Sequence, residues 1–444
     1  MDYHRKGAHH RGILQPQIGP LIAALLPSET EIEVVNDTWE DPDWSRDYDL
    51  LFISSMHSDF DRARQISHYW RRRGAKTVYG GILGSTYPHI CAPFFDTVVV
   101  GDPEGSARAV YDDFARGRLQ KLYVSSSYQA ASVPVPRFDL MARKQMIPLS
   151  LEVTRGCPFT CEFCALTGIG TRHHVRPPEQ VVRDIVEGQK MLRGLVSGFK
   201  LRMVVFNDNN IGGNLRYLRR LCELLEPLRI QWGSAITFNA IADADVVKML
   251  SRAGCRFMFM GLESFNPEAI VDMHKFQNTI DKTRIVLDQC RAHGILVVSG
   301  LMINPVTDDA AYMRTIPHRL RECGLHIPSF ICFECPIPGT PHFHRLASAP
   351  EPALLPNGLL RDFSGYTLVT RPRRESIENF VETYKWLLEE VNSLENRLRK
   401  LADDIPRFLK GGFWLPALVD IGAAEAYRAR PGRSYLAGTD ATPP

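Results

Sequence analysis

Between residues 146 and 341 the sequence alternates six times between a short apolar run and an amphipathic one. The apolar runs are IPLSLEVT (147–154), RMVVFNDNN (202–210), IQWGSAIT (230–237), CRFMFMGLES (255–264), ILVVSGLMIN (295–304) and SFICFECPIPGTP (329–341). A strand that is apolar throughout is buried on both faces, as in a parallel sheet covered by helices. The intervening runs have helical spacing. PPEQVVRDIVEGQKML (177–192) carries proline near its start, and DADVVKMLSRAG (243–254) stops at Gly254. Parallel neighbours need a long crossover, and these helices supply it. Six units fall short of the eight in a closed barrel, so the expected architecture is a partial (β/α)6 barrel.

The first 124 residues alternate too. EIEVVND (31–37), YDLLFISS (48–55), AKTVYGG (75–81) and DTVVVGDPEG (96–105) read as strands, and 59–73 and 106–117 as helices. This order is that of a doubly wound, Rossmann-like α/β domain. The Ser- and Pro-rich stretch 125–145 reads as a linker, and 146–345 as the barrel. Residues 346–444 read as a mainly helical extension, with one long amphipathic helix over 377–405 and a frayed end over 430–444.

Net charge is 53 − 50 = +3, with no long basic stripe, which argues against a nucleic-acid partner. Arg397, Arg399 and Lys400 read as a solvated helix face. No apolar run approaches the roughly 18 residues that span a bilayer. The polar start MDYHRKGAHHRG has no signal-peptide core, so a cytoplasmic protein is expected. Ten cysteines in 444 residues are not a disulfide framework. Three of them stand apart.

The first barrel strand runs into Arg155-Gly156-Cys157-Pro158-Phe159-Thr160-Cys161-Glu162-Phe163-Cys164. Three thiolates spaced C-x3-C-x2-C on one loop can wrap one metal centre, either zinc or an iron–sulfur cluster. Structural zinc takes four protein ligands, which would require His173 or His174 as the fourth. A cubane held by three cysteines leaves one iron open. Cys332 and Cys335 form a C-x2-C that strand alternation splits between two faces, so both read as core cysteines.

This loop resembles the signature of the radical S-adenosylmethionine superfamily in the spacing of Cys157, Cys161 and Cys164, and in the aromatic Phe163 before the last cysteine. The resemblance implies a [4Fe–4S] cluster on the three cysteines, with S-adenosylmethionine chelating the open iron. One electron, from a donor such as flavodoxin or ferredoxin, cleaves the sulfonium, usually giving a 5′-deoxyadenosyl radical. The protein positions and dries the site. Asp208 and Asn209 end the second strand, where the family typically has a Gly-Gly-Glu-like motif for the methionyl amine; this sequence has Asn-Asp-Asn-Asn, and a polar turn is the alternative. Glu263 and Ser264 fall where relatives contact the methionyl carboxylate or ribose, Ser264 having a helix N-cap as its alternative. Ser299 and Asn304 flank the end of the fifth strand. The Pro-Gly-Thr turn at 338–340 is similar to the one that closes the sixth strand in many relatives.

The N-terminal stretch resembles the cobalamin-binding domain fused to one large branch of that superfamily, best at Gly80-Gly81 and Gly101–Gly105. Ser54, Ser55, Gly80 and Gly81 lie at strand ends where a flat macrocycle could approach the backbone. His57, close by, reads as solvated. The Asp-x-His-x-x-Gly motif is absent, and 12–27 reads as a loop and first helix without a strand before them. A truncated or degenerate domain that keeps its fold without cobalamin is therefore the other reading. The leading expectation is a cobalamin-dependent methyltransferase acting on carbon or phosphorus of a small molecule. The alternative is a cobalamin-independent enzyme that abstracts hydrogen for cyclisation, rearrangement or oxidation. A non-enzymatic zinc-stapled binding protein comes third. A methylthiotransferase would need three further cysteines in the first domain, which has only Cys91.

Overall fold

The computed structural model describes residues 17–37, 40–125, 128–143, 145, 147–170, 172–275, 280–356, 358–409 and 435–436. The polar start and, apart from 435–436, the expected frayed end lie outside the described residues. The chain divides into two units: Met1–Glu152 with Gly168–Gly170 and His174–Leu201, and Val153–Thr167 with Thr171–His173 and Arg202–Pro444.

The first unit holds a parallel sheet in the order β1 (Leu50–Ser54), β2 (Lys76–Gly80), β3 (Thr97–Val100), β4 (Leu122–Val124). Around it lie α1 (Ile18–Leu25), α2 (Phe60–Arg72) and α3 (Ala107–Ala115). The stripe Phe60, Ala63, Ser67 and Trp70 buries one face of α2. Gly74, at φ 97°, ends it as expected. Residues 31–36 form no strand among the described residues. Their alternate side chains take other partners: Glu31 and Glu33 bind Arg46, and Val34 packs on Gly19 of α1.

The same unit contains β5 (Leu149–Leu151) and α4 (Pro178–Leu192), which the sequence pattern groups with the barrel. Gly188 lets α4 sit close: a Cβ there would meet the Leu149 side chain at 2.7 Å and Phe138 at 2.9 Å. Stretch 125–145 does not behave as a linker. Val133, Phe138 and Met141 are buried, and Gln180 of α4 donates to the carbonyls of Ala131 and Val133. Arg176 and Asp184 form a wholly buried ion pair, and Arg176 also donates to the carbonyl of Glu152. The residues that precede and follow the cysteine segment are thereby clasped.

The second unit holds β6 (Met203–Phe206), β7 (Gln231–Ala235), β8 (Cys255–Glu263), β9 (Leu296–Ile303) and β10 (Phe330–Phe333), all parallel and paired in sequence order. Their carboxyl ends therefore share one edge. Helices α5 (Leu215–Leu225), α6 (Ala244–Arg252), α7 (Ile280–Ala292) and α8 (Ala310–Glu322) connect them. Cores are tight where rings cross glycine: a Cβ on Gly233 would lie 2.3 Å from the Phe257 ring, and one on Gly300 2.1 Å from Phe330.

The tail helix is two helices, α9 (Ile377–Val391) and α10 (Leu394–Leu409). The break is chemical. Asn396 donates to the carbonyls of Glu390 and Val391, and Ser393 accepts from the Asn396 N–H, so one helix is capped and the next started within four residues. None of the described helices is long and apolar enough to cross a membrane.

Candidate functional site

The cysteine loop follows Thr154–Arg155 and leads into the short helix Ala165–Gly168. Its turn is closed by the Cys164 N–H donating to the Cys161 carbonyl at 3.1 Å. Cys161 is buried, while Cys157 and Cys164 are half-buried. Burial pushes the Cys164 thiol up, against the N–H groups of Leu166 and Thr167, and the neighbouring Cys161 and Cys157 add to the rise. Among the described residues no three His, Cys, Asp or Glu side chains close on a metal ion. His173, a fourth ligand for zinc, lies against Gly213 and Pro158, and His174 packs edge-on to Tyr128.

The end of β6 anchors the loop. Asp208 is buried, and its Oδ1 accepts from the N–H groups of Val153 (2.7 Å) and Thr154 (3.0 Å) at the loop's root. Asn209 is exposed. The neighbour that turns to the cysteines is Asn210, with Nδ2 3.8 Å from Cys157 Sγ. Within the loop, Phe163 packs on the buried cluster of Ala269, Ile270, Met273 and Met302, on which Cys332 packs as well. Glu162 pairs with Arg345 at 3.1 Å, and its carbonyl accepts from the His342 N–H. His342 and Glu334 are fully buried partners at 2.7 Å.

At the end of β8, Glu263 sits at φ 64° and pairs with Lys275. Ser264 does not face that site. Its hydroxyl shares a hydrogen bond with Tyr312 and accepts from the Asn266 N–H, while Asn266 is the cap of the short helix Pro267–Asp272. Asn304 is likewise absorbed: it donates to Asp272 and accepts from the Val306 N–H. Ser299 is buried three residues before Met302, hence on the opposite face of β9 from the side chain that packs with Phe163. These three do not join the cysteine loop. Periodicity finds a strand end but not which polar groups the next turn consumes. Cys332 and Cys335 fall in separate apolar clusters, and burial raises both thiols. Lys275, Asn210 and the Glu334–His342 pair carry no motif that marks them in the sequence.

In the first unit, Ser54, Gly80 and Gly81 line an open hollow at the carboxyl ends of β1 to β3, with Phe52, Val78 and Val99 among its apolar walls. Gly81 (φ 108°) and Gly101 (φ 89°) make the turns above it. Ser55 is not part of the lining, because its hydroxyl is bonded to Tyr79 at 3.0 Å. His57 is buried, not solvated.

Comparison with known proteins identifies the domain that holds the cysteine loop. Residues 151–316 match the Radical SAM superfamily. That stretch holds the three-cysteine loop and the strands β6 to β9, so a radical SAM domain lies within the chain. The chain is an enzyme, and it is similar to radical SAM enzymes that carry an N-terminal domain of the cobalamin-binding type. It is similar to bacteriochlorophyllide d C-8(2)-methyltransferase of Chlorobaculum tepidum, 26% identical over 385 residues, covering 82% of this chain and 84% of the relative. In fold it is similar to TsrM, a radical S-adenosylmethionine methyltransferase of Kitasatospora setae solved with cobalamin and a [4Fe–4S] cluster. The TM-score is 0.60 at 16% identity, covering 83% of this chain and 82% of that one. The cobalamin-dependent radical enzyme OxsB gives a TM-score of 0.61 at 14% identity, covering 83% and 64%. This likeness shows the fold: a Rossmann-like domain followed by a radical SAM barrel.

Proposed function

We propose that the enzyme is a cobalamin-dependent methyltransferase acting on a small molecule, with a [4Fe–4S] cluster on Cys157, Cys161 and Cys164. The loop carries this reading: three cysteines in C-x3-C-x2-C spacing on one anchored turn. When bound, the cluster delivers one electron to S-adenosylmethionine, and cobalamin carries a methyl group. The chain's own residues do the rest. Asp208 fixes the loop's root, and Asn210 orients Cys157. Asn209 and Glu263, at the ends of β6 and β8, would meet the methionyl end of S-adenosylmethionine. Ser54, Gly80 and Gly81 would let a corrin ring approach the backbone over an apolar floor. A flavodoxin or ferredoxin in the cytoplasm would supply the electron.

Methyl transfer is favoured over direct hydrogen abstraction by the glycines at the strand ends, where a flat ring could approach the backbone, and by the names of the relatives. The test is anaerobic reconstitution with iron, sulfide and hydroxocobalamin, then desalting and a visible spectrum. We expect stoichiometric corrinoid bands over cluster absorbance, and S-adenosylhomocysteine on incubation with S-adenosylmethionine and reductant. Cluster absorbance without corrinoid, with 5′-deoxyadenosine as sole product, would leave the hydrogen-abstracting alternative. Zinc without iron or sulfide would overturn both.

A further inference from the structure

Lys275 is 9% exposed, a burial that an ammonium tolerates only with a partner. That partner is Glu263, whose Oε1 accepts from Nζ at 2.5 Å, both side chains being 11% exposed. Burial works against the lysine's charge, but the Glu263 carboxylate together with Cys161 and Cys164 outweighs it, holding the ammonium above its ordinary range. The ammonium also stands 5.7 Å from the centroid of the Phe163 ring. Phe163 lies between Cys161 and Cys164 in the loop.

Three local features converge on this pair, two left-handed residues and one glycine. Glu263 (φ 64°) is left-handed, and so is His274 (φ 52°), the residue before Lys275; among the described residues only Arg229 is a further non-glycine of this kind. Gly261 supplies the third: a Cβ there would lie 2.0 Å from Glu263 Oε1, so the carboxylate occupies space that only glycine leaves. An ion pair kept for stability alone would not call for this, because apolar side chains of similar volume generally serve as well.

The pair is polarised. The Lys275 ammonium is the end of the pair that stands by the Phe163 ring, within the loop and between Cys161 and Cys164 in sequence. The positive end therefore faces the cysteine loop. A nearby buried cation stabilises the extra negative charge that a metal centre takes on reduction.

We propose that Lys275 is a positioning residue of charge, fixed by Glu263 beside the cysteine loop, that raises the reduction potential of the iron–sulfur centre held there. It rests on the cluster assignment made above. The test is reductive titration of the reconstituted full chain without S-adenosylmethionine, followed by electron paramagnetic resonance. Lys275→Met leaves Glu263 buried without its partner, so Lys275→Met/Glu263→Gln, which removes both charges, is the second variant. We expect both to lower the reduction equilibrium constant tenfold or more, a shift of about 59 mV for one electron, and Lys275→Arg to titrate near the wild type. Normal cluster content with wild-type potentials in both variants overturns the proposal and leaves the cluster assignment standing. Cluster loss in both variants but not in Lys275→Arg also overturns it, making Lys275 a folding residue. A wild type that assembles no iron–sulfur centre overturns the cluster assignment, and this role with it.

Discussion

Cys161 is the buried member of the three loop cysteines. The loop's anchors are elsewhere: the Asp208 carboxylate holds Val153 and Thr154, and Arg345 holds Glu162. Replacing one sulfur therefore should not unfold the loop. Cys161→Ala is expected to keep the wild-type circular dichroism spectrum and melting curve while 5′-deoxyadenosine formation from S-adenosylmethionine falls at least a hundredfold. Undiminished 5′-deoxyadenosine in that variant would remove the cluster from these cysteines. At this scale the sequence is legible where function is local. C-x3-C-x2-C can be read because its residues meet within one turn. Asn210 and Lys275 reach the loop from positions 53 residues beyond Cys157 and 12 residues beyond Glu263, through pairings that periodicity does not specify.

The strand ends show how an element's surroundings decide its chemistry. The turn after β9 buries Asp308, whose carboxylate accepts from Asn266 Nδ2 and from the Asn304 N–H, both at 2.8 Å. Burial outweighs these bonds and pushes its carboxyl from 3.8 up to about 6. A raised carboxyl binds its proton more tightly in the folded chain than in the unfolded one. Its stabilisation is fully present below the unfolded value, near 3.8, and is lost as pH rises through about 6. Folding stability should thus fall by up to about 3 kcal/mol from this group between roughly pH 4 and 7. Asp308→Asn should lack that slope. Urea unfolding of both proteins at half-unit steps from pH 4.5 to 7.5 measures it, and parallel profiles would show that Asp308 does not titrate in this window. Near the same turn, Ser264 and Asn304, which the sequence offers as site residues, are hydrogen-bonded to Tyr312 and Asp272. Apolar runs mark where a strand stops, but Tyr312 and Asp272, which take up those polar groups, arrive from later or neighbouring elements.

For the whole molecule, the alternation of strands and helices conveys the two parallel sheets, since every crossover leaves its mark on the sequence. It does not convey every partner of an amphipathic helix: α4 packs on Leu149 of β5 and also on Phe138, from a stretch that reads as a linker. The function depends on both units, and they can be tested separately. Gly80 is suited to this, because it lies at the end of β2 on the cavity lining, and a Cβ there meets nothing nearer than Val99 at 4.0 Å. Its φ is not left-handed, so a β-branched residue fits the strand and only fills the hollow. Gly80→Val should therefore retain the melting curve, the iron and sulfide content and the cluster absorbance of the wild type, and retain less than a tenth of its corrinoid after desalting. S-adenosylhomocysteine formation should fall with the corrinoid, because the methyl carrier is lost while the cluster remains. A variant that keeps stoichiometric corrinoid would move cobalamin away from this cavity. One that loses corrinoid yet still forms S-adenosylhomocysteine at the wild-type rate would separate methyl transfer from the first unit altogether.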